Sequence, residues 1–106
     1  MKEITVEELK KKIDQKESFL LLDVREPFEA HISNIDTDST LIPLADLTGR
    51  IQELDETQEI IVLCRSGNRS GKACEMLEEN GFANVANLKG GINEWAVKID
   101  PSLPQY

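Results

Sequence analysis

The sequence predicts an α/β fold with a mainly parallel sheet and helices on both of its faces, and three observations carry that prediction. Short apolar runs alternate with stretches of helical spacing along the chain. Two of the runs, Phe19–Leu22 and the Ile-Ile-Val-Leu within Glu59–Leu63, are continuously apolar, as strands buried on both faces are. The turn Cys64–Ser70 follows the second of these and leads into a helix. In parallel sheets ligands bind at such carboxyl ends of strands.

The first helix announces its own start. Thr5 is a good N-cap, and Glu8 three residues on completes a capping box. Ile4 before the cap and Leu9 inside the helix suit a hydrophobic staple, and Val6, Leu9 and Ile13 supply the apolar stripe. The strand Phe19–Leu22 runs into Asp23-Val24, and Pro27 suits the first turn of a short helix after it. Ser33–Thr40 is polar and irregular, and Leu41-Ile42 reads as a very short strand stopped by Pro43. Leu44, Leu47, Ile51 and Leu54 then give helical spacing, weakened by Gly49. After Cys64–Ser70 a helix runs to about Glu79, and Asn80-Gly81 ends it. Asn84–Leu88 reads as the last strand, Gly90-Gly91 as a turn, and Ile92–Ile99 as a helix whose Trp95 packs on the sheet. The tail from Asp100 to Tyr106 is punctuated by proline and irregular.

Composition narrows the function. With 106 residues, one domain spanning 1–106 is expected. Apolar residues make up 40% of the chain, enough for a folded core without a metal or disulfide staple. A net charge of −8 argues against nucleic-acid binding, which needs a basic face. The longest apolar run cannot span a membrane, and the charged N-terminus lacks the apolar segment of a signal peptide. A cytoplasmic protein with both thiols free is the expectation. With two cysteines ten positions apart and one histidine, the common kinds of zinc site are excluded, so no metal and no cofactor are expected.

The chemistry concentrates in Cys64-Arg65-Ser66-Gly67-Asn68-Arg69-Ser70. A loop opening a helix turns backbone N–H groups toward one point, and the helix dipole favours an anion there. Gly67 lets the loop bend back, and Arg65, Arg69 and Lys72 give residues 64–73 a local charge of +3 with no acid. That setting lowers a thiol pKa and makes Cys64 a candidate nucleophile. Cys74 lies on the apolar side of its helix and reads as core, and His31, alone in a polar stretch, reads as surface.

Three segments together resemble the rhodanese superfamily of sulfurtransferases: Leu22–Glu29 its first signature, Cys64–Ser70 its active-site loop, and Leu88–Trp95 its C-terminal signature. The resemblance implies a three-layer rhodanese-like fold with about five strands. It implies that Cys64 takes a sulfane sulfur from a small donor such as thiosulfate or a persulfide. That sulfur would pass as a Cys64 persulfide to a thiol or carrier-protein acceptor. On the same basis the N–H groups from Arg65 through Ser66, Gly67, Asn68 and Arg69 to Ser70 would cradle the sulfur. Arg65 and Arg69 would bind the anionic donor or acceptor, with part of the Arg69 charge spent on the closing end of the loop. Asp23 and Arg25 would support the site from the neighbouring strand end. Glu29-Ala30-His31-Ile32 lacks the glycine that many members carry before the histidine. This stretch, Leu41–Leu44 and the ending Ile99–Tyr106 resemble instead the rhodanese-like domain found behind E1-like adenylyltransferases. Two rival readings are a non-catalytic binding or regulatory module and a cysteine-dependent phosphatase or arsenate reductase. The phosphatase class places its arginine six positions after the cysteine, where this chain has Ser70.

Overall fold

The computed structural model describes residues 1–106. Five strands, β1 (Lys2–Ile4), β2 (Leu20–Asp23), β3 (Thr40–Leu41), β4 (Ile60–Leu63) and β5 (Val85–Leu88), form one sheet. Its order is β1-β5-β4-β2-β3, and each neighbouring pair is parallel. Five helices connect or follow the strands: α1 (Val6–Asp14), α2 (Pro27–Ile32), α3 (Leu44–Arg50), α4 (Asn68–Glu79) and α5 (Gly91–Lys98). None of them is long and apolar enough to cross a membrane.

The pleat divides the core into two layers. Ile60 and Val62 of β4 point to one face, where Leu47 of α3 and Ala73, Cys74 and Leu77 of α4 cover them. Ile61 and Leu63 point to the other, under Val6 and Leu9 of α1 and Ile92 and Trp95 of α5. The continuously apolar run is thus a central strand buried on both faces, as expected. Thr5 caps α1 with both bonds of the capping box, and Ile4 and Leu9 share one core cluster. Pro27 opens α2, and Gly81 ends the turn after α4 with φ near +90°.

Two readings need correction. Lys2–Ile4 is a strand paired with β5, in register Lys2↔Ala86 to Ile4↔Leu88, whereas the sequence suggested only the staple for Ile4. Three residues before a helix cap carry no periodicity, and the strand exists because the β5 edge needs a partner. The helical spacing from Leu44 to Leu54 breaks at Arg50, and Ile51–Glu53 forms a 3₁₀ turn.

Candidate functional site

β4 and β2 lie side by side, so Cys64 and Val24, which follow them, leave the same sheet edge. The sulfur of Cys64 sits beneath the loop that opens α4. The Gly67 N–H donates to its Sγ at 3.1 Å and the Ser70 hydroxyl lies 3.3 Å away. Gly67 adopts φ near +109°, which lets the chain turn its amide down onto the sulfur. Burial, with Cys64 only 1% exposed, pushes the thiol up. The Ser70 hydroxyl and the backbone N–H groups of Ser70, Gly67 and Ser66 outweigh it, and the thiol lies below its ordinary value. The depression therefore comes from short-range donors; the basic residues that the sequence brings together are not its main source.

The loop is held from outside by α5. Ile92 N–H donates to the Cys64 carbonyl at 3.0 Å and Asn93 N–H to that of Arg65 at 3.2 Å. With the carbonyls turned outward, the N–H groups that follow face inward. Gly91 makes this contact possible: it has φ near +63°, and a Cβ there would lie 2.5 Å from both carbonyl oxygens.

The candidate residues divide. Cys64, Gly67 and Ser70 converge on the sulfur. Ser66 and Asn68 are exposed on the loop, the former aiming its N–H at the thiol. Arg65 is exposed, its guanidinium over the Tyr106 ring at 5.1 Å from the centroid. Arg69 makes a bidentate pair with Glu29 of α2, both bonds 2.7 Å. The stretch 64–73 contains no acid, but the fold brings one to it, and the Arg69 fork is used there. Glu29 also accepts from the Glu26 N–H at 2.8 Å and from the Tyr106 hydroxyl at 3.0 Å. The Arg69 pair, with those two bonds, holds its carboxyl down at about 2, against the opposing effect of burial.

Asp23 and Arg25 form a fully buried pair one layer deeper. Arg25 donates Nε at 3.0 Å and Nη2 at 2.8 Å to the two Asp23 oxygens. Its Nη1 reaches the Ser33 carbonyl at 2.8 Å and the Tyr106 hydroxyl at 3.0 Å. Burial opposes the Arg25 charge, and its oxygen partners, Asp23 first, more than offset that opposition. Neither residue touches the sulfur; they fix the strand end and α2, which hold Glu29 and hence Arg69.

Three residues at the site escaped sequence reasoning. Glu29 lies in the first signature, but nothing along the chain marks it as the partner of Arg69. Tyr106 sits in a proline-rich tail without periodicity. Asn87 interrupts an apolar strand, Val-Ala-Asn-Leu, and a polar residue buried there is the one signal available. Cys74 is wholly buried in the core and His31 is exposed, as expected.

Burial pushes the Cys74 thiol up to about 12, with Glu78 adding to it. The two thiols should therefore react very differently: brief iodoacetamide treatment near neutral pH should label Cys64 at least about tenfold faster. Peptide mapping by mass reads the ratio, and equal labelling would contradict the geometry.

The family model described as "Rhodanese-like domain" matches residues 5–98. The chain is 39% identical over 110 residues to an "Adenylyltransferase and sulfurtransferase MOCS3-2" of Zea mays, covering 97% of this chain and 23% of that protein. It is 39% identical to a "Putative sulfur carrier protein YrkF" of Bacillus subtilis, of which it covers 52%. A "Putative sulfurtransferase YtwF" of the same bacterium is 37% identical, with 95% of this chain and 96% of that one covered. Among solved structures, a rhodanese-related protein from Thermoplasma volcanium superposes with a TM-score of 0.82 at 33% identity, over 98% of this chain and 96% of the other.

Proposed function

The chain belongs to the rhodanese-like domain family, and from that premise we propose that it is a sulfurtransferase in which Cys64 carries a sulfane sulfur between a small donor and a thiophilic acceptor. The observation that carries the reading is the thiol at the focus of the loop's N–H groups, below its ordinary pKa, at the start of α4. In the first half-reaction the Cys64 thiolate attacks the outer sulfur of thiosulfate. A Cys64 S–S bond forms, the S–S bond of thiosulfate breaks, and sulfite leaves with the bonding pair. The acceptor, a thiolate or cyanide, then attacks the outer sulfur, and Cys64 leaves as thiolate. The same N–H donors that stabilise the thiolate as nucleophile stabilise it as leaving group. An E1-linked role with a carrier-protein acceptor fits the MOCS3 resemblance.

The phosphatase reading is weaker on an observation from the site. The loop arginine, Arg69, is committed to Glu29 by two bonds of 2.7 Å, so it is not free to receive a phosphate. Arg65 is the exposed cation beside the nucleophile and the better candidate to meet an incoming anion.

Turnover tests the proposal. Thiosulfate and cyanide should yield thiocyanate, and Arg65→Ala should raise KM for thiosulfate by several-fold to about a hundredfold, the range of exposed to charge-assisted contacts. The increase should shrink as salt rises, because partly exposed charges are screened. Absence of turnover with thiosulfate and with a small persulfide donor would overturn the function. An unchanged KM at low salt would remove Arg65 from donor binding.

A further inference from the structure

Asn87 stands on β5, nearly fully buried, with its side-chain amide wedged under the catalytic loop. Its Nδ2 donates to the Gly67 carbonyl at 3.1 Å. A carbonyl only accepts, so this contact fixes the amide's orientation and leaves Oδ1 facing Ser70. Oδ1 also only accepts, so the Ser70 hydroxyl, 2.5 Å away, must be the donor. Ser70 has one hydroxyl proton, yet its oxygen is also 3.3 Å from the Cys64 sulfur. Both acceptors cannot hold that proton at once.

We propose that Asn87 is a positioning residue that competes with the Cys64 sulfur for the single proton of Ser70. While Cys64 is a thiol, the Ser70 proton rests on Asn87, and the Ser70 oxygen offers a lone pair to the S–H. When the thiol loses its proton to solvent, the Ser70 O–H turns to the thiolate, and Asn87 Oδ1 loses its partner. No proton leaves Ser70 in this exchange. The bond given up to Asn87 is a cost charged against the thiolate each time it forms, and is returned when the sulfur is acylated, alkylated or persulfidated. Asn87 thereby sets how much of the Ser70 stabilisation the thiolate receives.

Other groups near the sulfur act independently of this exchange. From α4, the Arg69 charge and the Cys74 thiol interact with Cys64. From the loop, Arg65 is exposed, and Glu29 of α2 and the Tyr106 hydroxyl are joined to each other and reach the site through Arg69. None of them is hydrogen-bonded to the Asn87 side chain or the Ser70 hydroxyl, so a substitution at Asn87 removes none of their bonds.

The inference rests on Cys64 being the nucleophile of the proposed sulfur transfer. Its test needs no sulfur donor, so its failure is distinct from failure of that function. The rate of Cys64 alkylation is followed against pH by mass mapping in the wild type, Asn87→Leu, Ser70→Ala and the double variant. Asn87→Leu frees the Ser70 proton for the sulfur, so the midpoint should fall by about half to one pH unit, the scale of one hydrogen bond to a charged group. Ser70→Ala should raise it, and adding Asn87→Leu to Ser70→Ala should move it no further. A merely structural Asn87 would shift both backgrounds alike, and that result, or a rise in Asn87→Leu, overturns the proposal. If Asn87→Leu fails to fold, Asn87→Asp carries the test. Its carboxylate holds the Ser70 proton more strongly, so the midpoint should rise, and rise less when Ser70 is alanine. An equal rise in both backgrounds, or none, overturns it equally.

Discussion

Replacing Cys64 by serine should abolish sulfur transfer from thiosulfate to cyanide, with a loss of at least about a thousandfold, the scale on which removing a nucleophile acts. The serine hydroxyl would occupy the same N–H cradle, but it ionises far less readily than a thiol and forms no disulfide-type bond to sulfur. Cys74→Ala supplies the contrast. That residue is wholly buried beside Leu77 and Val62, and alanine leaves no polar group unsatisfied there. It should retain most of the turnover, measured as thiocyanate formed per minute on protein of verified fold. A comparable loss in both variants would mean that the two thiols share the work.

The second large effect is on stability. Arg25→Met removes a guanidinium with no exposed surface and strands the Asp23 carboxylate, itself 1% exposed, without its partner. Breaking a buried pair from one side costs about 3–5 kcal/mol, because an uncompensated charge remains. At about 5 °C per kcal/mol for a domain of this size, Tm should fall by roughly 15–25 °C. Arg50→Met is the matching control: its pair with Glu53 is 41% and 49% exposed on the two side chains, and exposed pairs contribute less than about 1 kcal/mol. Thermal unfolding followed by circular dichroism compares them. A drop for Arg25→Met no larger than for Arg50→Met would show that the Asp23–Arg25 pair is not what holds the strand end.

The sheet and the sulfur site were legible in the sequence to unequal depth. Runs such as Ile60–Leu63 state their burial through unbroken apolarity, and the cap Thr5 with Glu8 states where a helix begins. The loop Cys64–Ser70 was readable because its chemistry is local: candidate nucleophile, bending glycine and helix start lie within seven residues. What lay hidden depends on contacts between distant segments. Glu29 is forty positions from Arg69, and Tyr106 is seventy-seven from Glu29, so no window along the chain shows that one carboxylate joins them. The +3 patch misled for the same reason, since a count along the sequence omits the acid that the fold inserts. Gly90-Gly91 was visible as a turn, but only the packed chain shows Gly91 meeting the two loop carbonyls.

On the proposed function, Cys64 holds the transferred sulfur as a persulfide. Intact mass of the reduced protein after incubation with thiosulfate, followed by peptide mapping, tests it most directly. A gain of about 32 Da, one sulfur, is expected on the peptide that contains Cys64, and a thiol reductant should remove it. No gain with thiosulfate or with a small persulfide, or a gain located on Cys74, would contradict it.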